Sequence, residues 1–241
     1  MDRLTPLDNA FLELEDADPH NSLAIASVAT FEGPVPSYEE FVAAIAGRLQ
    51  LVPRYRQKVR RVPLDLGAPV WVDDPEFNLR WHITPETLHT PGGDAELQAL
   101  VARVMSLRMD RTRPLWQLWL IDGLANDRWA VLSKVHHCMV DGIAGTDMYR
   151  VMLDPTPEPP SVAPEEWQPM PEPSTLTLTA LAMRDLMAVP VDEALVAVHL
   201  LRRPRLALRE VGDAARGLAR LGTVFLPANP STLSGDTGRR R

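Results

Sequence analysis

Cysteine is almost absent: Cys138 is the single one in 241 residues. One thiol excludes an intrachain disulfide and any metal site built from several cysteines. Lysine is nearly as scarce, with Lys58 and Lys134 alone. Arginine takes its place throughout, a compositional bias, so the arginine count alone carries no functional reading. No run of roughly 18 apolar residues occurs, the length a membrane-spanning helix needs; the best run, Ala194 to Leu201, is short and holds His199. The opening Met1-Asp2-Arg3-Leu4-Thr5-Pro6 lacks a basic segment followed by an apolar core, so no secretory signal is expected and a cytoplasmic location is. Nucleotide and hydrolase signatures are also missing: there is no Gly-x-Gly-x-x-Gly, no phosphate-binding loop and no Gly-x-Ser-x-Gly elbow. The net charge of −7 argues against a nucleic-acid partner.

What is present is an ordinary globular balance, 45% hydrophobic and 24% charged, in a chain long enough to bury a core. The charge is uneven. Residues 202–241 hold nine arginines against three acids, a basic end on an acidic body. Such an end can mark a surface for anionic lipid or an acidic partner, or simply a solvated helix face and a frayed tail.

Local signals give an order of elements. Thr5, Pro6 and Asp8 predict a helix from Pro6 to Leu14. Leu23 to Phe31 reads as a strand buried on both faces. Ser37 and Glu40 form a capping box for a helix to about Leu51. Arg54 to Arg61 is a basic patch. Pro69–Val72 and Phe77–Ile83 look like short strands around an Asp73-Asp74-Pro75 turn. A helix from Ala95 to Met109 follows Gly92-Gly93-Asp94. Leu115–Asp122 and Arg128–Val135 have hairpin spacing, and Gly142–Leu153 returns to helical periodicity. Eight prolines between Asp154 and Ser174 forbid a helix or central strand and predict an extended connector. Helical segments are expected at 175–188, 191–201 and 206–221. The expected organisation is therefore a mixed α/β domain over 1–153, a Pro-rich connector over 154–174, a helical segment over 175–226 and a tail over 227–241.

The chemistry-bearing segment is His136-His137-Cys138-Met139-Val140-Asp141-Gly142, between a predicted strand and a predicted helix. A histidine at a strand end can meet a substrate in a cleft and serve as general base near neutral pH. Gly142 permits a sharp turn, and Asp141 can hold the loop through an ion pair or hydrogen bonds. From the residues alone, three readings stand: a base, a pair of histidines packed in a loop, or metal ligands, although adjacent side chains on an extended backbone diverge. Cys138 is read as a small buried filler.

His136-His137-x-x-x-Asp141-Gly142 resembles the motif of the chloramphenicol acetyltransferase-like superfamily, shared by condensation domains and carnitine acyltransferases. The wider likeness is to the bacterial wax ester synthase/diacylglycerol acyltransferase family. It is carried in order by Leu4-Thr5-Pro6-Leu7-Asp8-Asn9-Ala10-Phe11-Leu12, Pro69-Val70-Trp71-Val72-Asp73-Asp74-Pro75-Glu76-Phe77, Asp110-Arg111-Thr112-Arg113-Pro114-Leu115-Trp116-Gln117 and Lys134-Val135-His136-His137. The resemblance implies an α/β fold, a mixed sheet flanked by helices, with a C-terminal helical appendage. It implies that His137 is the general base, that His136 supports the loop, that Asp141 is structural and that Gly142 fits the turn. It also implies that Pro114, Leu115 and Trp116 lie near the acceptor pocket; the plain reading of those three is a strand start with two apolar anchors. The implied reaction moves a fatty acyl group from acyl-CoA, a co-substrate rather than a cofactor, to diacylglycerol or a long-chain alcohol.

The family is built from two similar halves around a tunnel. Ser231 to Arg241 resembles the entry into the second half, so this chain is expected to represent the N-terminal half. Two expectations of different classes follow: an acyltransferase completed by a second polypeptide or by self-association, or a truncated, catalytically silent remnant that binds lipid or a partner. Contact with the inner membrane or lipid droplets through the arginines from 202 to 220 is a further expectation.

Overall fold

The computed structural model describes residues 2–140 and 167–185. The expected helices 142–153, 191–201 and 206–221, the first part of the connector, the tail, and the motif residues Asp141 and Gly142 lie outside the described residues. The chain divides into two compact units, Met1–Ala182 and Met183–Arg241. Of the second, only residues 183–185 are described.

The first unit is organised by a four-stranded sheet. Its strands are β1 (Ala24–Glu32), β4 (Ile83–Thr87), β5 (Trp116–Leu124) and β6 (Arg128–His136), in the order β1-β6-β5-β4. All neighbours are antiparallel except β4 and β5. A small antiparallel pair, β2 (Gln57–Arg60) and β3 (Val70–Asp73), lies apart. Among the described residues four helices occur: α1 (Pro6–Ala17), α2 (Tyr38–Arg48), α3 (Asp94–Met105) and a helical stretch over 175–185, within the expected 175–188. No described helix is long and apolar enough to cross a membrane.

The hairpin forms because β5 and β6 alternate two apolar sets that face opposite layers. Leu118, Leu120, Val131 and Val135 join Phe41 and Ile45 of α2, and Leu49 just beyond it, in one core. Trp119, Ile121, Ala130 and Leu132 join Leu100 and Val104 of α3 in another. Asn126 and Asp127 turn the chain in the left-handed region, φ 65° and 53°, where their short polar side chains are tolerated. The capping box is present as read: Ser37 N–H donates to Glu40 Oε2 at 2.9 Å and Glu40 N–H to Ser37 Oγ at 3.3 Å.

Four local readings need correction. β1 is not buried on both faces: Ala26, Ser27, Val28 and Thr30 are exposed, because β1 is paired to β6 alone in this sheet. The helix from Ser37 gives way at Arg48 to two short 3-10 turns, Leu49–Leu51 and Pro53–Arg56. Phe77–Ile83 is not a strand; Leu79–Trp81 makes a 3-10 turn, and the strand is Ile83–Thr87. Pro85 disguised it, yet an edge strand has one row of N–H groups that needs no partner. The third helix ends at Met105, before the expected Met109.

That earlier ending has a visible cause. Lys134, on the α3 side of β6 and 1% exposed, sends Nζ to the carbonyls of Val104 at 2.8 Å and Leu107 at 2.5 Å. A cation placed on the carbonyls of a helix end, here added to the Leu107 N–H that Val104 C=O accepts at 3.3 Å, is favourable. Desolvation lowers the Lys134 pKa from its ordinary value, while the Glu15 charge opposes that. Lys134→Met keeps the volume and leaves both carbonyls without this donor. It is expected to reduce unfolding free energy by about 1–3 kcal/mol in a urea titration; a change within about 0.5 kcal/mol, the ordinary surface range, would remove Lys134 as the anchor of that helix end.

Candidate active site

The motif begins where β6 ends. β6 is paired on both edges, with Ala24 opposite His136 on one side and Trp116 opposite Val135 on the other. His136 N–H donates to Leu115 C=O at 2.9 Å, and His137 N–H donates to Leu23 C=O at 2.9 Å. Successive residues are thus tied to opposite neighbours. A 3-10 turn, His137–Met139, follows immediately.

The two histidine side chains part company. His136 is fully buried. Its Nδ1 accepts the Cys138 N–H at 3.1 Å, which caps the turn and requires Nδ1 to be bare. The ring proton therefore sits on Nε2, 3.6 Å from Glu15 Oε1, an electrostatic contact longer than a hydrogen bond. His137 is half-buried, with its ring stacked on Phe11 of α1 at 4.8 Å between centroids and 27° between planes. Cys138 is 3% exposed, and burial pushes its thiol up to about 12, which leaves it a packed side chain rather than a thiolate.

Glu15 organises this region, and the sequence reading missed it. The predicted helix stopped at Leu14, but α1 runs to Ala17 and buries Asp8, Leu12 and Glu15 along one stripe. An acid at the third position of an otherwise inward stripe is the signal that could have found it. Glu15 is 1% exposed. It accepts from Leu23 N–H at 3.1 Å, Arg111 Nη2 at 2.6 Å, Arg111 Nε at 3.2 Å and Arg108 Nη2 at 3.3 Å. Burial alone would raise its pKa. The Arg111 hydrogen bond, the Leu23 N–H and the nearby positive charge outweigh burial and hold the carboxyl below its usual range.

Pro114, Leu115 and Trp116 enter β5 as packed residues. Leu115 and Trp116 have no exposed surface. Trp116 Nε1 donates to Tyr55 C=O at 2.7 Å, and its ring stacks on His82 at 4.4 Å. The three sit one strand away from the motif, joined to it through the Leu115 carbonyl. The basic patch is largely paired. Arg54 meets Asp2, Lys58 meets Asp74, Arg60 meets Glu172 and Arg61 meets Asp16. A cavity of about 380 Å³ lined by Leu12, Lys58, Arg60, Arg111 and Glu172 shares Arg111 with the Glu15 cluster. Among the described residues no three His, Cys, Asp or Glu side chains converge as metal ligands.

This mixed sheet between helices, with a histidine motif at the end of a central strand, belongs to the chloramphenicol acetyltransferase-like fold class. Residues 4–241 match the family described as wax ester synthase/diacylglycerol acyltransferase catalytic domain, and the chain belongs to that family. It is 49% identical over 154 residues to "Probable diacyglycerol O-acyltransferase tgs1" of Mycobacterium tuberculosis, covering 64% of this chain and 33% of that protein. It is 32% identical over 216 residues to "Probable diacyglycerol O-acyltransferase tgs3" of the same species, covering 90% and 74%. The structure of the wax ester synthase/diacylglycerol acyltransferase from Marinobacter aquaeolei VT8 superposes with a TM-score of 0.54 at 33% identity, over 68% of this chain and 41% of that one. The chain thus spans about a third of the length of tgs1 and three quarters of tgs3.

The buried histidine makes stability depend on pH in a definite direction. Burial holds His136 down at about 4; the Glu15 carboxylate opposes this, while Arg111 and His137 act with burial. An unfolded imidazole titrates near 6.5. Between those values the unfolded chain binds a proton that the folded chain refuses, so this contribution is complete above about pH 6.5 and is lost as pH falls toward about 4. Glu15, held below its ordinary value, adds a loss in the same direction at the lower end. The melting temperature is expected to fall through this window. His136→Asn should flatten the upper part of the fall; an unchanged slope would show that His136 is not held neutral.

Proposed function

We propose that this chain carries the base of an acyl-CoA-dependent O-acyltransferase. It would move a fatty acyl group from the CoA thioester to the hydroxyl of diacylglycerol or a long-chain alcohol. The observation that carries the reading is the placement of His137: half-exposed beyond the end of a doubly paired strand, with its N–H tied to Leu23 and its ring against Phe11. Membership of the family supports it.

The chemistry asks little more of the base. A neutral His137 imidazole takes the hydroxyl proton as the oxygen attacks the thioester carbon. The tetrahedral oxyanion collapses with cleavage of the C–S bond, and the departing CoA sulfur takes the proton back from the imidazolium. The ester and free CoA leave His137 as it began. No acyl-enzyme forms, in keeping with the buried, protonated Cys138.

Because the matched region is a third of tgs1 and 41% of the Marinobacter enzyme, we also propose that turnover needs polypeptide beyond that region. It could be contiguous, supplied as a second chain, or supplied by self-association. The competing reading is a silent lipid- or partner-binding protein. The test uses labelled palmitoyl-CoA with diacylglycerol or hexadecanol, with and without a polypeptide equivalent to the remainder of the family domain. Ester should form when the domain is complete, and His137→Ala should lower turnover by about 10²–10⁴-fold, the usual worth of a general base. Unchanged turnover in that variant would remove His137 from the role, and lipid binding without any ester would favour the silent reading. Apolar products also favour work at a lipid surface. The arginines from Arg202 to Arg220 should float the chain with anionic vesicles, and neutralising them should abolish flotation.

A further inference from the structure

We propose that Glu15 is a positioning residue for the motif: it holds His136 as the Nε2–H tautomer, so that Nδ1 stays free to cap the turn that presents His137. This role rests on the functional reading only for its consequence in turnover; the tautomer itself does not.

The geometry supplies two routes from Glu15 to His137. The first runs through a ring. Nε2 of His136 faces Glu15 Oε1 at 3.6 Å, and Nδ1 accepts the Cys138 N–H at 3.1 Å. In the other neutral tautomer a lone pair on Nε2 would face the carboxylate and an N–H on Nδ1 would face the Cys138 N–H. Both contacts would become repulsive at a site without exposed surface, where electrostatic terms are little screened. The contact at 3.6 Å is too long to be valued as a hydrogen bond, but its sign does not depend on that. The second route runs through a peptide. Glu15 accepts the Leu23 N–H at 3.1 Å, and the carbonyl of the same residue accepts the His137 N–H at 2.9 Å. One carboxylate therefore fixes the backbone of His137 through Leu23 and the turn after it through His136.

Glu15 is itself fixed. Arg111 reaches it with two nitrogens and also donates to the Leu12 carbonyl at 3.1 Å, while Arg108 adds a contact at 3.3 Å. Their segment leads into β5, whose Leu115 carbonyl receives the His136 N–H. The helix that carries Glu15 also carries Phe11, four residues earlier on nearly the same face, and Phe11 stacks on His137. A shift of α1 would move the ring support and the carboxylate together.

The experiment measures the tautomer and the rate separately. In the ¹⁵N-labelled full chain near pH 7, long-range proton–nitrogen spectra should show His136 with a bare Nδ1 and a protonated Nε2, assigned by the signals lost in His136→Asn. A wild-type Nδ1–H tautomer, or a cation, would overturn the proposal whether or not the chain turns over. Glu15→Gln must set an amide donor against either Leu23 N–H or Arg111. It should mix the tautomers and lower kcat by at least about tenfold, with KM for acyl-CoA altered less. A fall in kcat with an unchanged tautomer would make Glu15 ordinary structural support and overturn the role.

Should Glu15→Gln not fold, a pair of variants at the other end decides. His136→Asn places an oxygen where Nδ1 accepts, and His136→Leu does not. The first should keep turnover at least about tenfold above the second; equal losses would overturn the proposal. Absence of turnover in the completed wild-type enzyme would instead fail the functional reading, with the spectra still deciding the tautomer.

Discussion

The double pairing of β6 is the constraint on which the site depends. Its residues from Ala130 to His136 are buried, with β1 along one edge and β5 along the other. A strand held on both edges cannot slip by one residue without sending every side chain to the wrong layer. The register thus fixes His136 inward, on the side shared with Leu132 and Lys134. The chain then leaves the sheet in a single turn, and His137 becomes the first residue of the motif that can reach solvent. The position of the candidate base follows from strand parity more than from any contact of its own ring.

Within that frame, backbone polarity selects proton positions. His82 and His136 are both buried, and burial lowers the pKa of both. They nevertheless carry opposite tautomers. His82 Nδ1 lies 2.8 Å from the Trp116 carbonyl, which can only accept, so Nδ1 must hold the proton. His136 Nδ1 lies 3.1 Å from the Cys138 N–H, which can only donate, so Nδ1 must be bare. Neutral imidazole offers one donor and one acceptor. The fold uses the donor at a strand start and the acceptor at a turn cap.

Much of this was legible in the sequence, and the misses share a cause. The hairpin, the capping box of α2 and the motif's place at a strand end each rest on signals a few residues long. Those signals report local geometry. β4 was missed because Pro85 reads as a breaker unless the strand is known to lie at an edge. β1 was judged doubly buried because small and β-branched residues look the same on an edge as in the middle. Glu15 was missed because its meaning comes from Arg111, which is 96 residues away in sequence. The sequence offers Lys134 only as part of the family resemblance, and its work on the Val104 and Leu107 carbonyls is invisible without α3 in place.

Buried charge explains why the motif region should be rigid rather than merely stable. A buried ion cluster is a poor source of net stability, since desolvation offsets much of the attraction. Removing one member is costly, because the others are then left uncompensated. Glu15 is the buried charge of such a cluster, paired with the partly exposed Arg108 and Arg111 and facing the neutral His136 ring, and Lys134, whose pKa responds to Glu15, shares its field. Its members come from α1, the segment before β5, and β6. Any motion that separates those elements leaves a buried charge without its counterpart, so small displacements are penalised steeply. An apolar cluster of the same size could slide and repack at lower cost. A general base that must meet a hydroxyl within hydrogen-bond reach needs the former kind of support. Placing the charged cluster behind His136, one residue from His137, puts this support next to the atom whose position matters most.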